Sequence, residues 1–253
     1  MMNRNSLKAL WKAEEAHAFS GWDFSYLDGR WELSDPPWDY RALVLSLLGP
    51  HDRLLDMGTG GGEFLLSLHH PYALTSVSEG YPPNVALCRR VLSPLGITVG
   101  EVQKDDCLPF ASDSFDLVIN RHEAFSPAEV RRVLRRGGYF LTQQVGGQNN
   151  RDLSEYLIEG FQPAFPHHTL QNNLRALEGQ GFEILRAQEV FLPERFYDVG
   201  ALAFYCRIIE WEFPGFSVDG CFERLLALQR QLEAGRPIEG TAHRFLILAQ
   251  RKD

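Results

Sequence analysis

The chain is poor in cysteine. Four cysteines in 253 residues stand at 88, 107, 206 and 221, with no Cys-x-x-Cys pair and no His/Cys pair at metal-ligand spacing. That excludes a disulfide framework or a zinc ribbon as the organising device. Reduced thiols in a cytoplasmic protein are expected, with no metal site. A block of basic residues is also missing. The net charge is −8, and the densest basic run is Arg131-Arg132 with Arg135-Arg136. Such a run reads as a solvated helix face with a basic carboxy-terminal end. Nucleic acid is therefore not an expected partner. The amino terminus has no apolar run fit for a signal peptide or a spanning helix, so no membrane association is expected. Residues 6–17 read instead as an amphipathic helix. Internal repeats and low-complexity segments are absent.

Glycine is concentrated where it is present. Residues 54–63 read Leu-Leu-Asp-Met-Gly-Thr-Gly-Gly-Gly-Glu, and an apolar helical run opens at Phe64. This is a strand, a tight turn and a helix start. The glycines let the backbone turn sharply and let a ligand approach without Cβ contacts. The helix start beyond them offers unpaired N–H groups and a positive dipole end. The spacing separates this turn from two common relatives. A Gly-x-Gly-x-x-Gly fingerprint would need a third glycine where Glu63 stands, and a phosphate-binding loop would need Gly-Lys-Ser/Thr. Asp56, two residues before Gly58, repels pyrophosphate and attracts a cation. The pattern suits a nucleoside cofactor with positive charge, such as a sulfonium or ammonium. A second strand, 73–77, then runs toward Glu79-Gly80, with Glu79 placed 23 residues after Asp56. An acid at that place is expected to accept hydrogen bonds from ribose hydroxyls.

A third segment reads Asp105-Asp106-Cys107-Leu108-Pro109-Phe110, then Ser114-Phe115-Asp116-Leu117-Val118-Ile119-Asn120. With these motifs in order, the chain resembles class I S-adenosylmethionine-dependent methyltransferases, in particular the small-molecule "type 11" group. The acid-x-Gly-x-Gly-x-Gly turn is matched by Asp56, Gly58, Gly60 and Gly62, with Thr59 between them. The acid after the second strand is matched by Glu79. The Leu-x-x-Gly-Gly turn before the fifth strand is matched by Leu134 to Gly138. The resemblance covers residues 50–146. It implies S-adenosylmethionine as cofactor and an adenine contact from Asp105 or Asp106. One departure stands out: the two aspartates are adjacent, and Lys104 occupies the position where the acid often falls.

Strand and helix alternate, which argues for a parallel sheet covered on both faces. Strands are expected near 53–57, 73–77, 97–102, 115–120, 138–145, 182–191 and 243–250. The resemblance implies a Rossmann-like, seven-stranded, mostly parallel α/β sheet with the last strand antiparallel. A single methyltransferase domain is expected: an N-terminal lid or collar over 1–45, a cofactor-binding core over 46–191 and 237–253, and a helical substrate-side insert over 192–236.

The lid region is dense in aromatics, including Trp22, Tyr26, Trp31, Trp38 and Tyr40, and Arg30 within it is a candidate for a cofactor carboxylate. The insert carries Tyr205 and Trp211 as candidate pocket walls, and Ser217 or Asp219 is expected to cap its second helix. Inserts at carboxyl ends of strands are where open α/β sheets bind ligands. Trp22, Tyr26, Gln143, Tyr205 and Trp211 are thus the candidate substrate contacts. Candidate chemistry sits at Asn120-Arg121-His122-Glu123, since the resemblance places that strand end at the transferable methyl group. Methyl transfer needs an aligned nucleophile and, for a hydroxyl or amine, a base. His122 is the natural base because imidazole titrates near neutrality, with Glu123 orienting it or acting itself. The expected activity is methyl transfer to a small or medium-sized acceptor. An RNA or protein methyltransferase, or a non-catalytic binder of the cofactor, is the alternative.

Overall fold

The computed structural model describes residues 3–19, 23–104 and 107–252. Trp22, Asp105 and Asp106 lie outside the described residues. The chain forms two units, each assembled from three segments: 1–36, 146–167 and 190–244 in one, 37–145, 168–189 and 245–253 in the other.

The second unit carries the glycine turn. Its strands are β2 (Leu54–Met57), β3 (Thr75–Glu79), β4 (Thr98–Glu101), β5 (Phe115–Arg121) and β6 (Leu134–Val145). Its helices are α2 (Tyr40–Leu47), α3 (Glu63–Ser67), α4 (Pro82–Val91), α5 (Pro127–Val133) and α7 (Leu170–Gly179). β2 is apolar apart from Asp56 and buried along its whole length, as a central parallel strand must be. It pairs in parallel with β3 on one side and β5 on the other. The direction of sheet growth therefore reverses at β2, and open α/β sheets bind ligands at the carboxyl ends of strands flanking such a point. Leu55, Val118, Phe140, Phe182 and Phe245 lie in the core of this unit. Leu134 is already paired with Phe115, and the register then jumps to Leu117 with Tyr139. The expected turn at 134–138 is thus a bulge inside a longer strand.

The first unit is mainly helical: α1 (Arg4–Glu15), α6 (Arg151–Leu157), α8 (Val199–Ile208) and α9 (Val218–Glu233). α1 packs on α8 and α9, and α9 on α6 and α8. Val199 to Cys206 are all buried, because α8 is apolar all round and a helix of that kind is core. Asp198 caps α8 through Ala201 N. Ser217, not Asp219, caps α9; Asp219 pairs with Lys8 and Lys12 of α1.

Two long strands, β7 (Phe182–Phe196) and β8 (Ile238–Arg251), have residues in both units. A short strand β1 (Trp31–Leu33) adds antiparallel to β7, Trp31 opposite Phe196. The sheet order is β1-β7-β8-β6-β5-β2-β3-β4. The mostly parallel sheet is as expected, with eight strands in place of seven. Three residues that pair only with distant partners leave no local period to read, which is why β1 is absent from the expectation.

Candidate active site

The turn after β2 is built from backbone geometry. Gly58, Gly60 and Gly62 all adopt positive φ, at 69°, 63° and 86°. At Gly58 a side chain is excluded twice over, since a β-carbon there would lie 2.4 Å from Glu123 Cβ. At Gly60 a β-carbon would meet nothing within 4 Å, so the bare backbone borders open space. α3 is a five-residue helix. A single turn adds little dipole, and the loop's own N–H groups are engaged within the fold, Gly58 N on Ser78 O, Gly62 N on Thr59 O and Gly60 N on Glu79.

Backbone N–H groups from two loops hold Glu79. Glu79 ends β3 and is buried. Its Oε2 accepts from Gly60 N at 2.9 Å, and its Oε1 from Gly80 N and Tyr81 N, each at 3.0 Å. A carboxylate oxygen has lone pairs to spare after these bonds. Asp56, also buried, accepts from Thr59 Oγ1 at 2.7 Å. Burial pushes its carboxyl up to about 7, against the pull of Thr59 and Arg121. Glu79 adds to the upward push. Met57, Gly58, Ser78, Glu79, Gly80, Val102, Leu108, Glu123 and Ala124 line one cleft. The Leu-Pro-Phe segment bordering it is stapled from α5: Glu129 Oε2 accepts from Leu108 N at 2.8 Å, and Arg132 donates to the carbonyls of Leu108 and Phe110. Arg132 thus works for the site, where the sequence suggested only a solvated face.

The carboxyl ends of β5 and β6 form the second half of the site. Asn120 is fully buried, and its Oδ1 accepts from Thr142 Oγ1 and Gln144 Nε2. Its Nδ2 has no hydrogen-bond partner among the described residues. Tyr40, on α2, bridges the strand ends. Its hydroxyl accepts from Asn120 N at 3.2 Å and lies 3.0 and 3.2 Å from the carbonyls of Asn120 and Leu141. Burial pushes its phenol upward. Arg121 lies over the Phe64 ring, 4.5 Å from its centroid. His122 follows at φ 66°, a region that residues with a β-carbon rarely occupy. Gln143 Nε2 lies 3.0 Å from His122 Nε2, and Trp38 Nε1 donates to Gln143 Oε1 at 2.7 Å.

Of the expected site residues, Asp56, Gly58, Thr59, Gly60, Gly62, Glu79, Gly80, Asn120, His122, Glu123 and Gln143 all belong to the sheet unit. Tyr26, Tyr205 and Trp211 belong to the helical unit. Tyr205 is buried among Phe24, Trp31, Phe196 and Phe213, and accepts from Asn150 Nδ2. It is core, because α8 has no exposed apolar face to line a pocket with. Tyr26 stacks on His17 and donates to Glu14. Trp211 is exposed. Arg30 does not await a carboxylate ligand; it forks onto Asp198 at 2.8 Å and reaches Glu14 at 3.0 Å. Trp38 and Tyr40 as structural partners of the site were missed. The available signal was the Pro36-Pro37 break and Asp39, which caps α2 through Ala42 N and separates this pair from the other aromatics. Among the described residues, no group of three or more His, Cys, Asp or Glu is arranged to hold a metal, and no helix is long and apolar enough to cross a membrane.

A glycine turn at the switch point of a Rossmann-like sheet, an acid ending the next strand and a cleft between them stand where open α/β sheets bind ligands. Comparison with known proteins narrows the class. Residues 55–142 match the methyltransferase domain family. The matched stretch holds the glycine turn, Glu79 and the strand end at Asn120. Solved structures share the fold. A functionally unknown protein from Deinococcus radiodurans R1 is 17% identical, with TM-score 0.59 over 99% of this chain and 100% of that one. YcgJ from Bacillus subtilis is 17% identical, with TM-score 0.56 over 85% and 98%. An S-adenosylmethionine-dependent methyltransferase from Mesorhizobium loti is 18% identical, with TM-score 0.50 over 84% and 98%. No curated protein matches the chain.

Proposed function

We propose that the protein transfers the methyl group of S-adenosylmethionine to a small or medium-sized acceptor. The observation that carries the cofactor placement is Glu79: a buried carboxylate held by three backbone N–H groups beside the bare backbone of Gly60. A carboxylate so held is ready to accept from both hydroxyls of a ribose. The residues fit the cofactor's charge as well. Asp56, Glu79 and Glu123 stand against Arg121, a balance that favours a cation, and Asp56 is a carboxyl that a nearby positive charge would ionise. Asn120 Nδ2 is a buried donor that a ligand oxygen would satisfy. Gly58, Thr59, Gly62 and Gly80 shape the turn around it, and Asp105 or Asp106 is proposed for the adenine.

When bound, the cofactor supplies an electrophilic methyl on a sulfonium leaving group. The protein's part is then to align the nucleophile and manage its proton. His122 and Glu123 are proposed for that part, because they follow the β5 end and Glu123 lines the cleft. Gln143 is proposed as an acceptor contact.

Calorimetric titration with S-adenosylmethionine and S-adenosylhomocysteine, beside NAD, tests the site. Micromolar binding of the first two and none of NAD is expected. Transfer of labelled methyl into a pool of phenols, amines and carboxylic acids then tests the acceptor class. Labelling of RNA or protein with an inert small-molecule pool would overturn the small-acceptor reading.

A further inference from the structure

We infer that Trp38 and Gln143 are positioning residues that hold the His122 imidazole neutral, with its proton on Nδ1 and its lone pair on Nε2. The functional weight of this inference rests on the reading above, in which His122 serves methyl transfer; the geometry stands without it.

The argument is one of donors and acceptors. An indole N–H can only donate. Trp38 Nε1 lies 2.7 Å from the Gln143 amide, so the amide must turn its oxygen toward the indole. Its nitrogen is then the atom 3.0 Å from His122 Nε2. An amide nitrogen also only donates. Two donors do not bond, so His122 Nε2 must be the acceptor and carry no proton. A flipped amide would set its NH2 against the indole N–H in a buried place, where Trp38 is 6% and Gln143 8% exposed. Donation therefore runs one way, from Trp38 through Gln143 to His122.

The backbone fixes the same geometry. His122 N donates to Gln143 O at 2.8 Å, and Gln143 pairs with Arg121 across β5 and β6. The histidine is held at φ 66°, a conformation that persists where surroundings dictate it. Arg121 lies over Phe64, Asp39 caps α2 and Asp56 accepts from Thr59. From β6 the neighbouring side chains Thr142, Gln143 and Gln144 are all neutral.

The consequence reverses the obvious assignment. A proton on Nε2 would face the Gln143 amide hydrogens, so the imidazolium is disfavoured and His122 Nε2 does not serve as a base. His122 stays a neutral, oriented ring, and Glu123 is the member of the pair with a proton-accepting group in the cleft.

Long-range 1H–15N correlation of imidazole nitrogens in the full-length protein, without cofactor or acceptor, reads the tautomer directly. His122→Asn identifies the signal by its loss. The expected result is a protonated-type Nδ1 and a lone-pair-type Nε2. Gln143→Glu substitutes a carboxylate that accepts from Nε2–H, so the proton should move to Nε2. Trp38→Phe should release the amide and give a mixture of tautomers. A proton on Nε2 in the unmodified protein, or the same tautomer in Gln143→Glu, would overturn the inference. Because no methyl transfer is measured, that failure is distinct from a failure to bind the cofactor.

Discussion

Asp56 is a carboxyl that burial holds near neutrality at ordinary pH. Its folded value of about 7 lies above the unfolded value of 3.8. The neutral form is thus the one that folding favours, and the stability it contributes is lost as pH rises from about 4 to about 7. A cationic ligand reverses the preference. Affinity for S-adenosylmethionine is expected to tighten as pH rises through 7, and Asp56→Asn should flatten that dependence in calorimetry run from pH 6 to pH 8. Glu79 acts differently, through geometry. Glu79→Ala removes the proposed acceptor for two ribose hydroxyls and unties Gly60, Gly80 and Tyr81 from it. A loss of about 2–3 kcal/mol is expected, roughly 30- to 150-fold in Kd. An unchanged Kd would move the ribose elsewhere.

Among the elements, α8 shows how much one cap can carry. Asp198 accepts from Ala201 N and, through the same carboxylate, receives the Arg30 guanidinium. Asp198→Ala should cost about 2 kcal/mol, the sum of a lost cap and a part-buried ion pair. Asp198→Asn keeps the cap and should lose about half as much; equal losses in urea melts would show that the charge carries the whole effect and the cap none of it. Elements of this kind were legible because their signals are local. Asp198, Ser217 and Thr169 stand just before apolar periodic runs, and α8, α9 and α7 begin there. The glycine turn was legible for the same reason, since its function lies in consecutive backbone angles. β1 was not, because its three residues are strand only by virtue of residues 194–196. Tyr205 was misread because a ring in an apolar helix looks the same whether it faces a pocket or a core. The Trp38–Gln143–His122 chain joins residues 105 and 21 positions apart, and no local pattern marks it.

At the scale of the whole molecule, acidity is distributed over both units. In the helical unit, Glu212 turns its carboxyl onto Asn149 and Asn150 at 2.7 and 3.1 Å. Burial pushes it up to about 7, opposed by those amides and helped by Glu194. Glu194 is itself fully buried and raised by burial, with Oε1 accepting from Trp31 Nε1. The sign is that of Asp56: stability falls as pH rises from about 4.5 to about 7. Glu212→Gln should remove about 2 kcal/mol of that dependence, several degrees in Tm, with little change at pH 5. A Tm that rises through this window would refute the assignment.

Each unit is assembled from three separated stretches of chain. Neither can be excised with a single cut or exchanged as one cassette between homologous genes. Whatever specificity the helical unit confers must therefore diverge by point substitution in place, and a chimera spliced at one junction would inherit two broken cores instead of a new preference.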